Sequence, residues 1–482
     1  MKFKSNRIVA VLLSVITIIS AIPITVSAEE ADLKISTLSE FQQFAADVNN
    51  GNTYEGKTVV LNADIALGGE SSPWTPIGNE TNRFKGTFNG ENHVVSGLFI
   101  SDGSGKNLGL FGYVENGAVE SLTVKGSVYG SGNVAGIVGY LSEGNVINCG
   151  NNADVTGSSA VAGVVGYVGG ASSVSGCYNS GSVTGTTGYI GGVTGQHWRA
   201  GSVENCYNTG VITGPATVGG VAGGHKAASP ALTNCYNAGM VIDSAGNSNN
   251  IGAVIGASRG TNSGCFYLKG TGTDTKDGIT ETEILDADIL GSGFKSDDDN
   301  LNGGYPILAW QIKIPDLIIG SYEELKAFAD SVNEGNTYEG KLIRLDVNVY
   351  LGGSSNPWTP AGTSASPFKG IFDGNYHIVS GLYINGGSSL GFFGAVDGGI
   401  IRNLVVSGSV TGSGDIAGIA GKLTAGKIIN CGNEASISGS ANVGGIVGSI
   451  NGDCTVSGCY NSGSVSGTTG YIGGVTGQHW RA

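Results

Sequence analysis

Val134-Ala135-Gly136-Ile137-Val138-Gly139 returns 27 residues later as Val161-Ala162-Gly163-Val164-Val165-Gly166. The same pattern, an aliphatic residue leading into Gly-aliphatic-x-Gly, runs from Leu108 to Gly112, Ile190 to Gly195 and Val218 to Gly223. It recurs once more from Ile251 to Gly256, with Ala253 in place of the first glycine. The six starts lie 26, 27, 29, 28 and 33 residues apart. A period of this size means stacked structural units, each too small to bury its own apolar face.

Cysteines keep the same step. Cys149, Cys177, Cys206, Cys235 and Cys265 are separated by 28, 29, 29 and 30 residues, one to each lap of the chain. Neighbouring laps of a stack lie about 4.8 Å apart with their side chains parallel, whereas a disulfide needs side chains that converge. The expectation is an inward ladder of free thiols acting as small hydrophobes. There is no Cys-x-x-Cys and no metal site is assigned. Cys454, five residues before Cys459, breaks the ladder and is a candidate for a local pair with it. Asn151, Asn179, Asn208 and Asn237 each follow a ladder cysteine by two. Either their amides hydrogen-bond along the stack, or they only tolerate a left-handed turn.

Within one lap three short strands are expected. In the third repeat these are residues 161–167, 173–178 and 182–184, separated by Gly169-Gly170 and Asn179-Ser180-Gly181. The predicted fold is all-β, a right-handed parallel β-helix. Seven or eight laps would make the first module roughly 35–40 Å long at the usual strand spacing.

Composition agrees. Of 482 residues 86 are glycine and only 13% are charged, yet 40% are hydrophobic, enough for a core spread along a stack. Residues 1–28 read as a secretory signal: Lys2, Lys4 and Arg7, an apolar run from Ile8 to Ile22, and small residues Val26-Ser27-Ala28 at a cleavage point. Losing its three basic residues would take the formal charge from −14 to −17. Such acidity argues against nucleic-acid and anionic-membrane partners. No later stretch approaches the length of a membrane span.

The chain is internally duplicated. Asn52 to Lys57 returns as Asn336 to Lys341, Pro73-Trp74-Thr75-Pro76 as Pro357 to Pro360, and residues 176–200 as 458–482 with Thr184 changed to Ser466. The expected organisation is a signal at 1–28, a first module at 29–313 and a second at 314–482. The second stops at a point matching mid-repeat in the first, so the chain is expected to be a fragment. Each module begins with a predicted capping helix: Thr37-Leu38-Ser39-Glu40 has capping-box spacing, followed by Phe41, Phe44, Ala45 and Val48. Ser321, Glu324, Leu325, Phe328 and Val332 repeat it. A helix there can cover the first strand edge.

The units Gly109-Leu110-Phe111-Gly112 and Gly136-Ile137-Val138-Gly139, with Cys-Tyr-Asn-x-Gly at Cys177 and Cys206, resemble the GLUG motif. Phe84 to His93 is similar to the leading coil of GLUG arrays in bacterial surface proteins, and Tyr305 to Gln311 to their terminator. The resemblance implies a secreted or surface-attached bacterial β-helix, a region also found beside the catalytic domain of IgA-specific metallopeptidases. No His-Glu-x-x-His is present among the five histidines, so peptidase activity is not carried over.

Catalytic chemistry on a glycan would need converging carboxylates. Glu143, Asp154 and Glu204 occupy unlike positions in the repeat, and no catalytic residue or cofactor is assigned. Asp298-Asp299-Asn300 begins like a calcium loop but lacks its final glutamate and flanking helices. His93 and His377 read as turn residues, Trp74 and Trp358 as core or cap anchors. The candidate ligand site lies just after each motif: Tyr140, Tyr167, His197-Trp198-Arg199, His225-Lys226 and Arg259, with the copy His479-Trp480-Arg481. Equal registry would line these up on one side of the stack, and aromatic and basic residues on an acidic surface suit glycan or protein recognition. The expected function is therefore adhesion or recognition at the cell surface by a non-catalytic scaffold. A polysaccharide-degrading β-helix enzyme and a passive spacer are the alternatives.

Overall fold

The computed structural model describes residues 31–198, 201–226, 232–246, 250–297, 301–312 and 315–480. The candidate signal at 1–28, together with Arg199, Arg481 and Asp298 to Asn300, lies outside the described residues. The chain divides into two compact units with the boundary after Ile312. Each is a parallel β-solenoid.

Three sheets wall the first solenoid. One has nine parallel strands, from Leu33–Ile35 through Thr58–Leu61, Thr87–Asn89 and Ala118–Glu120 to Asn262–Ser263. It carries an inward column of Val59, Phe88, Val119, Val146, Val174, Val203 and Leu232 in continuous register, so it is called here the valine sheet. The tyrosine sheet has six strands: Phe111–Glu115, Val138–Ser142, Val165–Gly169, Thr194–His197, Ala222–His225 and Ile255–Ser258. The third, or asparagine, sheet has 17 strands, among them Asp154–Ala162 and Tyr178–Asn179. Nine rungs exceed the seven or eight expected, because Leu33–Ile35 ahead of the helix already forms the first. The second unit repeats the valine sheet with six strands, from Leu317–Ile319 to Thr455–Ser457. Each fully buried Val or Ile in such columns contributes about 1.5–3 kcal/mol.

The glycine motif is not the single strand expected over 161–167. It turns a corner: the asparagine-sheet strand ends at Ala162, Gly163 and Val164 make the bend, and the tyrosine-sheet strand starts at Val165. Sterics explain both glycines. A Cβ on Gly136, Gly163 or Gly192 would lie 1.8, 2.0 or 2.4 Å from the side-chain oxygen of Asn151, Asn179 or Asn208. A Cβ on Gly139, Gly166 or Gly195 would lie 2.4 to 2.7 Å from backbone of the preceding coil. Ala253 replaces the first glycine in the lap where Tyr267 stands two residues after the cysteine, in place of asparagine.

The amides form a ladder. Asn151 donates to Asn179 at 2.7 Å, Asn179 to Asn208 at 2.7 Å and Asn208 to Asn237 at 2.8 Å, all fully buried. Each also donates to the carbonyl two residues ahead, which satisfies the turn. The left-handed turn belongs instead to the residue before the cysteine: Asn148, Asn205 and Asn234 at φ near 50°, and Gly176 at 61°. Beside the amides Cys149, Cys177, Cys206, Cys235 and Cys265 are buried and free. Burial pushes the thiols of Cys177, Cys206 and Cys235 well up from their ordinary range. Cys454 and Cys459 are also free, not locally paired. The strand Thr455–Ser457 lies between them, and their thiols turn to different carbonyls, Cys454 to those of Leu423 and Asn451 and Cys459 to those of Ile428 and Ser457. Cys459 instead continues the ladder, its sulfur accepting from the amide N–H of Cys431 at 3.4 Å.

Both expected helices form, Leu38–Asn49 and Tyr322–Asn333. Thr37 and Glu40 close the capping box at 3.2 and 3.0 Å. Phe41 and Phe44 enter the solenoid and stack on Trp74 and Phe88 at 5.2 and 5.7 Å. Trp74 and Trp358 are buried, and their indole N–H groups donate to the carbonyls of Leu110 and Phe392. His93 meets Asp64 at 3.0 Å and His377 meets Asn348 at 3.2 Å, both at exposed turns.

The segment resembling a terminator does not close the end of the stack. Residues 285–297 and 301–311 run back along the coils and cover a second row of rings, Tyr178, Tyr207 and Tyr236, stacked at 5.2 and 5.0 Å. Trp310 packs on Tyr178 and donates to the Gly176 carbonyl at 2.7 Å, while Phe294 packs on Tyr236.

Candidate functional site

Side chains alternate along a strand, so the tyrosine sheet has an inward and an outward set. The outward set forms two columns. In the first, Tyr113, Tyr140, Tyr167, Gln196, Gly224 and Ala257 are paired in register. The three half-buried tyrosines stack at 4.5 and 4.6 Å with ring planes 19° apart. Two residues further on lies the second column. Ser142 pairs with Gly169, and the backbone N–H groups of Trp198, Lys226 and Arg259 then reach the carbonyls of Val168, His197 and His225.

The candidate residues thus separate by position. Tyr140 and Tyr167 share the first column; Trp198, Lys226 and Arg259 share the second. Trp198 is 45% exposed, and the Lys226 ammonium lies over its ring at 4.2 Å and over Tyr189 at 4.7 Å. A cation held over two rings is attracted by their negative faces. At the other end of the face the Arg83 guanidinium sits 4.6 Å from the Tyr113 ring centre and pairs with Glu115, which Lys85 also approaches at 3.5 Å. Burial, and then Tyr140, push the Tyr113 phenol up from its ordinary range.

His197 and His225 lie elsewhere. They belong to the inward set, in register with Leu141 and Val168, and are 1% and 2% exposed. Their rings meet edge to face at 4.5 Å. Neither ring nitrogen of His197 has a hydrogen-bond partner among the described residues. Burial, helped by His225, lowers its imidazole to about 3. These buried histidines fill core volume and do not face a ligand on the outer surface. Reading the loop as one stretch missed the alternation that separates His197 from Trp198.

In the second unit the outward column reads Ala395, Lys422, Ser449 and Gln478, without a tyrosine. His479 pairs with Ile450 on the inward register and Trp480 with Asn451 on the outward one; both are exposed. The three carboxylates weighed for catalysis stand at different parts of the coil: Glu143 accepts from the Ala171 N–H, Asp154 from Ser182, and Glu204 lies in the valine sheet. Among the described residues no three His, Cys, Asp or Glu side chains come close enough to hold a metal ion.

The sequence reading left out Tyr113, Lys106, Asn133, Ser159 and Gln196. Tyr113 was visible, since it follows Gly112 as Tyr140 follows Gly139. The others come from a different sheet or lack an aromatic signal, and only the coil's closure brings them beside the tyrosines. They line a shallow groove of about 470 Å³ between the two sheets.

The family model of the GLUG motif matches residues 186–213, which hold Ile190 to Gly195 and Cys206-Tyr207-Asn208. A "Putative Gly-rich membrane protein" of Evansella cellulosilytica is 39% identical over 89 residues, 17% of this chain and 10% of that protein. The chain thus spans about a tenth of that relative's length. The crystal structure of a "putative immunoglobulin A1 protease from Bacteroides ovatus" superposes with a TM-score of 0.46 at 20% identity, covering 57% of this chain and 92% of that one.

Proposed function

We propose that this GLUG-bearing solenoid is a secreted or surface-displayed, non-catalytic recognition scaffold. It engages a glycan or a surface protein through the outward face of its tyrosine sheet. One observation carries the reading. Tyr113, Tyr140 and Tyr167 stack in one column, and Trp198 with Lys226 stands in the neighbouring column of the same outward face, in a chain whose net charge is −14. Aromatic and cationic side chains held rigid make contacts at low entropic cost. The membrane-protein description of the Evansella relative supports a surface location, as does the leader-like residues 1–28.

The test joins location to binding. Cell fractionation with an antibody should find the protein outside the cytoplasm. Purified protein should bind intact cells or a glycan array, and Trp198→Ala with Lys226→Ala should weaken that binding at least tenfold. Unchanged binding would remove this face from consideration, and no binding to any surface would leave a spacer.

A further inference from the structure

We propose that the groove beside the tyrosine ladder binds a linear, uncharged, hydroxyl-rich glycan lying along the solenoid axis. The proposal rests on the recognition role just given and supplies its ligand class.

The groove follows from one break in a column. At the corner between the asparagine and tyrosine sheets, Asn107, Asn133 and Ala160 take left-handed backbone with φ between 53° and 54°. Asn133 donates to Asn107 at 2.7 Å, and Asn107 to Glu80 at 3.2 Å, so amides fill the first two positions. Ala160 stands at the third with only a methyl, and the surface sinks there. One wall is the column Lys106, Gly132 and Ser159, in register. The other is Tyr140, Tyr167 and Gln196. The resulting space of about 470 Å³ falls within the ~300–1,000 Å³ of small-ligand sites.

The lining selects among ligand classes. It offers amides, hydroxyls and phenols, groups that both donate and accept, as sugar hydroxyls do. Among the described residues that line it, Lys106 is the only one with a charged side chain. A polyanion would meet one cation and the field of an acidic protein. The stacked rings spend their faces on each other and turn edges and hydroxyls outward. The repeat decides between glycan and peptide. Tyrosine rings recur every 4.5–4.6 Å, whereas an extended peptide advances about 3.3 Å per residue and alternates its side chains. A peptide along the axis therefore falls out of step within two coils. A hexose joined through its glycosidic oxygen is longer than a peptide residue, so its residue repeat stays closer to the coil repeat, and either face of its ring carries hydroxyls.

The test titrates the full chain by calorimetry with three neutral probes, β-1,4-linked hexamers of glucose, mannose and N-acetylglucosamine, and with a hexagalacturonate. At least one neutral probe should bind. Tyr140→Ala and Ser159→Arg should each weaken it tenfold or more, and Ser449→Ala, at the matching column of the second unit, should not change it. Ser159→Arg fills the groove without removing a ladder ring, so the test holds even if Tyr140→Ala unfolds. The groove assignment is overturned if no neutral probe binds, if only the uronate binds, or if binding ignores both variants. Neutral binding lost only in Trp198→Ala would overturn the groove and leave the recognition role standing. Loss in none of these variants would overturn both.

Discussion

Asn179 accepts from Asn151 and donates to both Asn208 and the Gly181 carbonyl, at 2.7, 2.7 and 2.8 Å. Asn179→Ala leaves the Asn151 donor and the Asn208 acceptor buried and unpaired, at about 1–3 kcal/mol each. Asn237→Ala, at the end of the row, orphans the Asn208 donor and both the carbonyl and the N–H of Gly239. Chemical denaturation should therefore show both variants less stable than the parent; an unchanged midpoint in Asn179→Ala would show that the ladder bonds do not form. A second residue-scale effect concerns pH. The imidazole of His197 titrates near 3 in the folded chain and near 6.5 when exposed, so the unfolded state binds a proton that the folded state refuses. Its contribution is constant above pH 6.5 and stability falls as pH drops from 6.5 towards 3, by up to about 1.4 kcal/mol per pH unit. His197→Val, which copies Val168 of the preceding coil, should flatten that part of the curve of denaturation midpoint against pH. An unchanged slope would show that His197 is not the group responsible.

Among the elements, the helices were legible because each carries its own signals: a capping pair, a 3.6-residue apolar rhythm and a glycine after it. The glycine motif was legible as a repeat but not as a corner, since the clash that forbids a Cβ involves an asparagine some 15 residues later. The returning segment at 285–311 was illegible as a strap. Its contacts are with Gly176, Tyr178, Tyr207 and Tyr236, up to 134 residues away in the chain. It is held at a turn by Asp297, whose carboxylate accepts from the N–H groups of Leu301, Asn302 and Gly304. Trp310→Ala removes the packing on Tyr178 and the bond to Gly176. It should cost about 2–3 kcal/mol locally, below the ~3–5 of a fully buried tryptophan. Hydrogen exchange should rise across 285–311 while the valine-sheet amides stay protected; equal exchange in both proteins would show that Trp310 is not its anchor.

Across the whole molecule, stability is a sum over coils and their interfaces. The five ladder thiols of the first unit report on it directly. All five are buried, and in Cys177, Cys206 and Cys235 that burial disfavours the thiolate that reacts. Ellman's reagent should leave all five unmodified in the native protein and titrate them on denaturation, with or without prior reduction. Fewer thiols after denaturation without a reductant would reveal disulfides and contradict parallel stacking.

The period, the single cysteine per lap, the duplicated helix and the choice of a parallel solenoid were all present in the sequence. They are properties of spacing, and spacing is what a linear chain records. Which residues of a short stretch face the core, where a lap bends, and which distant segment covers which ring were decided only in three dimensions. His197 and Trp198 are adjacent in the chain, yet strand alternation buries one and exposes the other. Ala160 and Tyr167 become walls of one groove only when the coil closes.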